Sequence, residues 1–330
     1  MAAVPGPWPP GRYAGVMAAL VLLNFFLPRL LPGSPLAGTG GEGVAFLPAR
    51  TAAELRRTYG LDRPMSQQFA QYLAGLARGD LGRSLTSHRP VTTLIAERLP
   101  WTVFLVGLAV LVAAVVGAAL GTLAAWYPRR TLVRLVDPLV VGLGTLPEFL
   151  VAMGLIVLLG TGWQLFPASG AVTPFLPRQG PGGLAAWVLD VLHHAALPGA
   201  TLVAALVPAF FLLARNALAA TVGAPYLLVA RGKGLDERRV LWHAWRNALP
   251  SVAALLGLRL GYAVTGAALV ERIFAYPGMG LLLFEAVAQR DYPVMQGVFL
   301  TASAAALAMV AALDTVAARL DPRLRRGTAR

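Results

Sequence analysis

Apolar runs alternate along the chain with short polar or basic connections. Residues 13–31, 101–126, 138–162, 197–214, 251–270 and 294–317 form six such runs, each near the ~20 residues that a bilayer-spanning helix needs. Several are interrupted: Pro28 and Arg29 fall in the first, Pro147 and Glu148 in the third, Pro198 and Pro208 in the fourth and Arg259 in the fifth. Gly117 and Gly121 in the second run have the four-residue spacing that lets two helix backbones approach closely. A cleaved signal peptide is the alternative for the first run. Only Arg12 precedes it as a basic flank, and no small-x-small cleavage site stands out, so it reads as a retained helix.

Between the runs the chain divides into a proline- and glycine-rich lead at 1–12, expected to be disordered, a first transmembrane helix at 13–31, an external segment at 32–100, a core at 101–320 holding the other five spans, and a basic tail at 321–330. Within 32–100, helical patterns occupy 51–59 and 65–77, and Leu61-Asp-Arg-Pro64 reads as the turn between them. A polar segment of this length translocates regardless of its charge. Basic residues gather in the 127–136 loop, in 225–250 and in the tail from Arg319. With six spans, that bias places both termini in the cytoplasm.

The 225–250 loop has the most local structure. Its pattern predicts a short helix over 226–233, a stop at Gly234, and a second helix whose first turn Asp236 caps with its side chain. Leu241, Trp245 and Leu249 then recur at helical spacing and predict an apolar stripe on the second helix, fit to lie in the membrane interface. The first helix would stand out as a knob carrying Lys233, the only lysine of the chain. A solvated basic loop obeying the positive-inside rule is the simpler reading of the same spacing.

Composition confirms the solvent. The 330 residues are 57% hydrophobic and 13% charged, against about 25% charged in a soluble domain, and the mean hydropathy is +0.65. With a net charge of +13 spread over loops and tail, anionic membrane lipids are the expected counterpart and nucleic acid is not. The absence of cysteine removes disulfides and thiolate chemistry. His193 and His194 are adjacent, so on a helix they point to different faces and read as structural rather than as a metal pair.

The chain resembles the inner-membrane permeases of dipeptide, oligopeptide and nickel ABC importers. The resemblance rests on Arg29-Leu-Leu-Pro-Gly-Ser-Pro35, Tyr59-Gly-Leu-Asp-Arg-Pro64, Gly79-Asp-Leu-Gly-Arg-Ser84, Ile95-Ala-Glu-Arg-Leu-Pro100, Leu165-Phe-Pro-Ala-Ser-Gly170, Ala230-Arg-Gly-Lys-Gly-Leu235, Val270-Glu-Arg-Ile-Phe-Ala-Tyr-Pro-Gly-Met-Gly280 and Arg290-Asp-Tyr-Pro-Val294. It implies an all-α polytopic protein with six transmembrane helices, the type I ABC importer permease fold, in the bacterial cytoplasmic membrane. It further implies a second, similar permease subunit as partner, two ATP-binding subunits, and an extracytoplasmic substrate-binding protein. ATP and Mg would be bound by the ATPase subunits, with no cofactor, metal or catalytic residue in this chain. On this resemblance the knob is the helix that couples to the ATPase, with Val229, Ala230, Arg231, Lys233, Gly234 and Leu235 carrying the contact. Leu228 and Val229 stand where the general importer pattern has Glu and Ala.

Glu148 and Arg259 stand where the family usually has small or uncharged polar residues. Counted inward from their cytoplasmic ends they reach similar depth, and an isolated charge there costs at least ~2.5 kcal/mol. They are therefore expected to face the bundle interior, and either to pair or to line a substrate path. Two other function classes compete. An ion-coupled secondary transporter could use Glu148, Asp314 or Arg259, although inverted repeats are not visible. An intramembrane enzyme would need a nucleophile with a base, which Ser251 and Ser303 lack nearby. No Gly-x-x-x-x-Gly-Lys-Ser/Thr loop occurs, so a nucleotide site would lie on another polypeptide. The peptide importer leads, and nickel or another peptide-like or sugar-conjugate cargo is the alternative within the class.

Overall fold

Where they are described, the apolar runs are helical apart from a break at 144–147, and most helices outgrow the run that predicts them. The computed structural model describes residues 10–30, 62–174, 183–261 and 267–320. The lead before residue 10, the 51–59 helix, most of the Arg29–Pro35 motif and the 321–330 tail lie outside the described residues. In chain order the helices are α1 (Pro10–Leu30), α2 (Met65–Ala77), α3 (Val91–Trp126), α4 (Thr131–Leu143), α5 (Glu148–Leu155, continued by a π-helical stretch Ile156–Gly162), α6 (Gly183–Val222), α7 (Pro225–Gly232), α8 (Glu237–Gly261), α9 (Ala268–Ile273), α10 (Met279–Ala288) and α11 (Tyr292–Leu320).

Among the described residues, α3, α6 and α11 are each long and apolar enough to cross a membrane. The pair α4 and α5 makes a fourth span if its two arms count as one, and they meet at a bend of 106°. The first expected span falls in α1, and the fifth is shared between α8 and residues 262–266, which lie outside the described residues. At 1.5 Å per residue, α3 with 36 residues and α6 with 40 run about 54 and 60 Å. Both exceed the ~30 Å hydrocarbon core, so they extend beyond it.

The contacts resolve into two compact units. The first contains α1, α2, α10, α11 and the opening turns of α3. Its core is Val91, Ile95, Met279, Leu282, Met295 and Val298. A Cβ on Gly297 would sit 2.4 Å from Val91 Cγ1, which is why glycine stands where α11 meets the start of α3. The loop before α3 is anchored to the start of α11 by Asp291, which is 2% exposed. Its carboxylate accepts from Ser84 Oγ at 2.5 Å and from the Thr86 amide at 3.3 Å, and it caps α11 through the Val294 amide at 3.4 Å. The amphipathic α2 is held to α1 by an aromatic cluster in which Phe25 meets Phe69 and Tyr72 at 5.0 and 5.5 Å.

The second unit contains the rest of α3 with α4 to α8 and residues 269–276. Here α3 lies directly on α6: a Cβ on Gly117 would approach Val207 O to 2.7 Å, and one on Gly121 would approach Phe211 O to 2.4 Å. The expected close approach at this glycine pair is therefore present. His193 Nε2 lies 2.9 Å from Leu165 O, and His194 Nδ1 2.9 Å from Asp190 O. Both histidines of α6 are thus engaged by backbone carbonyls.

Candidate functional site

The 225–250 stretch folds as a helix, a tight stop and a second helix. Pro225 opens α7 at its first turn, where a missing amide hydrogen costs nothing. Beyond Gly232 the chain closes with the Leu235 amide donating to Ala230 O at 3.3 Å and the Gly234 amide donating to Arg231 O at 2.9 Å. That six-to-one and five-to-two pair is a Schellman stop, and it needs a left-handed residue. Gly234 supplies it with φ +77°.

The helix is fixed from behind. Leu227 is fully buried in a cluster with Leu218, Val240, Ala244 and Ala248, against which Ala230 and Leu235 also pack. Two polar ties brace its ends. Asn247 Nδ2 donates to Tyr226 Oη at 2.6 Å, and Arg231 Nε donates to Glu237 Oε1 at 3.0 Å. The Arg231 hydrogen bond, aided by its charge, holds the Glu237 carboxyl below its ordinary range. The same guanidinium lies 5.6 Å from the Trp126 ring.

What remains outward is an apolar ridge with one cation. Leu228 is 59% and Val229 56% exposed, and Lys233 and Gly234 are exposed beside them. Of the six residues expected to carry a contact, Val229, Lys233 and Gly234 face outward. Ala230 and Leu235 anchor the knob, and Arg231 is engaged with Glu237. Leu228 was not anticipated, because residue periodicity alone does not say which side of so short a helix is covered.

One detail differs from expectation. The Asp236 carboxylate makes no capping bond among the described residues; it faces Arg239 Nε at 3.5 Å, while its backbone carbonyl accepts from the Arg239 and Val240 amides. The buried stripe of α8 is Val240, Ala244, Ala248 and Val252, and the expected apolar stripe of Leu241, Trp245 and Leu249 runs beside it, one position on. Small residues let α8 lie close to its neighbours, and the larger side chains take the flank, with Leu249 49% exposed.

Glu148 opens α5 directly after the bend, half-buried, where a helix N-terminus favours negative charge. Arg259 lies in the last turn of α8 and is exposed. No ion pair joins the two among the described residues, so the pairing considered from depth alone is absent from this structure. No group of three or more metal-ligating side chains occurs among the described residues.

Residues 117–326 match the family described as the binding-protein-dependent transport system inner membrane component. The chain is 33% identical over 325 residues to the dipeptide transport system permease protein DppB of Escherichia coli (strain K12), covering 93% of this chain and 94% of that one. It is 34% identical over 311 residues, 94% and 95% of the two lengths, to a protein of Brucella abortus (strain 2308) named as a peptide transport system permease.

Proposed function

The chain belongs to the family of inner-membrane components of binding-protein-dependent transport systems, and on that premise we propose that it is the translocation subunit of an ATP-driven importer of di- or oligopeptides. The relatives named above are called dipeptide and peptide permeases, which supports the cargo class. The observation that carries the coupling mechanism is α7, a short helix whose inner face is locked into a core and whose outer face offers Leu228, Val229 and Lys233.

On this reading α7 sits in a groove of an ATPase subunit on the cytoplasmic side. Two ATPases hold ATP and Mg, a second similar permease completes the membrane pore, and a binding protein delivers peptide from outside. Six spans, both termini inside and 32–100 outside are the topology that goes with it. ATP-driven closure of the ATPases pulls the knobs together, and helix motion changes which side the cavity faces. This chain contributes no catalytic residue. Glu148 and Arg259 are assigned to the substrate path in the assembled pair, where each can meet water, peptide or a partner group.

The test exploits a chain without cysteine. Val229→Cys in the assembled transporter should cross-link to an ATPase subunit, and proteoliposomes of the complex should take up labelled dipeptide only with ATP and binding protein. A Val229→Cys that stays unlinked while uptake proceeds, or uptake driven by an ion gradient without ATP, would refute the assignment.

A further inference from the structure

A second candidate site lies in the first unit, away from α7. A cavity of about 610 Å³ opens between the end of α1, the face of α2, residues 80–85 and the start of α11; Arg29, Gln68, Tyr72, Arg83, Tyr292 and Gln296 are among its lining. Arg29 lies across the Phe25 ring at 3.6 Å. It gives one hydrogen bond to Phe25 O at 2.7 Å and one to Gln68 Oε1 at 3.3 Å. A guanidinium carries five N–H groups, and no carboxylate pairs with this one among the described residues. Asp80, the one carboxylate on the rim among the described residues, accepts from the Gly82 amide at 2.8 Å.

Tyr72 adds a directed donor. Its oxygen accepts from Asn24 Nδ2 at 3.1 Å, which leaves its own proton to be given elsewhere. Behind it Asn24 is 7% exposed and spends its amide hydrogens on Tyr72 and on Gln296 O at 2.8 Å, while its Oδ1 has no partner. Gln68 Nε2 is given to Arg63 O at 2.9 Å, Gln296 Nε2 to Asn24 O at 3.3 Å and the Arg83 guanidinium to His88 O, so Arg29 and Tyr72 are the lining groups that keep hydrogens for a ligand. Beside this hollow, α1 exposes Leu22, Leu23 and Phe26, and α2 exposes Leu73. We propose that the cavity holds the phosphate of a membrane phospholipid between Arg29 and Tyr72, with the acyl chains lying along the apolar face of α1. Charge complementarity and the adjoining apolar surface favour a lipid over a free anion, because an oxyanion alone would leave that surface uncovered.

The full-length chain in lipid nanodiscs, released into detergent and weighed by native mass spectrometry, reads retained lipid directly. Dioleoylphosphatidylglycerol should be retained by the wild type and fall about tenfold or more in Arg29→Gln, as expected for loss of a charge-assisted contact. Arg29→Lys should recover part of it, and Arg129→Gln, an equal charge change in the turn after α3, should have no effect. Tyr72→Phe should weaken retention several-fold and serves if Arg29→Gln does not fold. Equal retention of the phosphate-free dioleoylglycerol, displacement by millimolar inorganic phosphate, displacement by a dipeptide but not its C-terminal amide, or indifference to Arg29→Gln and Tyr72→Phe would each overturn the assignment.

Discussion

Gly234 and Gly232 allow backbone conformation at the knob to be separated from space. A Cβ at either position meets nothing within 4 Å, yet only Gly234 has a left-handed φ, at +77°. An alanine there is strained by about 1–2 kcal/mol, whereas alanine at Gly232, the last residue of α7, should stabilise the helix by up to ~1 kcal/mol. The strain falls on the Schellman bonds from Gly234 and Leu235 to Arg231 O and Ala230 O, so it should loosen the end of α7 first. A loss of 1–2 kcal/mol multiplies the open population roughly 5- to 30-fold. Hydrogen exchange on the assembled transporter should show that acceleration at the amides of 233–235 in Gly234→Ala and none in Gly232→Ala. Gly234→Asn should fall between them, since asparagine tolerates this conformation better than alanine. If the α7 stop carries force, Gly234→Ala should also lower transport per ATP hydrolysed. Identical exchange in the two alanine variants would refute the reasoning.

Three further outcomes follow from named contacts. Gly121→Ala places a methyl 2.4 Å from Phe211 O and should cost on the order of 1–3 kcal/mol. Gly107→Ala, which meets nothing within 4 Å, should be neutral or stabilise α3 by up to ~1 kcal/mol; thermal unfolding of the purified chain distinguishes them. Asp291→Ala strips acceptors from Ser84, Thr86 and Val294 and should cost about 2–3 kcal/mol by the same measurement, with Asp291→Asn milder. Because the Arg231 hydrogen bond holds the Glu237 carboxyl below its ordinary 4.5, the stabilisation from this pair is complete above that pH. It fades as pH falls through the lowered value. The anisotropy of a fluorophore on Val229→Cys should drop in that acid window, and Glu237→Gln should abolish the pH dependence.

The helices and the knob were legible because they follow from short-range rules. A break at Gly234 needs only a residue that accepts φ +77°, and the Gly117 and Gly121 pair needs only a spacing. What escaped depends on neighbours. The stripe of α8 that is covered was set by where α6 and α7 lie, and favoured small Ala244 and Ala248 over the larger Leu241 and Trp245. The ion pair of Arg231 with Glu237 spans a turn, so no helical spacing announces it. Pro147 signalled an interruption, but the 106° angle between α4 and α5 comes from packing, where a Cβ on Gly144 would lie 2.9 Å from Pro208 of α6.

The continuity of α8 through Pro250 gives the knob its reach. A proline inside a helix forfeits one backbone hydrogen bond, here to the carbonyl of Arg246, and typically costs ~3 kcal/mol. The expected result was two elements meeting at Pro250, a loop helix and a span. Instead one helix runs from Glu237 to Gly261, about 37 Å at 1.5 Å per residue. Val240, Ala244, Ala248 and Val252 are buried along that helix on both sides of the proline. A displacement applied to α7 passes through Leu227, Ala230 and Leu235 into this stripe, and then along a rod rather than through a hinge. Were the proline a free hinge, the push would dissipate at residue 250. A Gly-Gly insertion after Pro250 should therefore uncouple ATP hydrolysis from uptake while leaving the Val229→Cys cross-link intact, and retained coupling would show that force leaves the knob by another route.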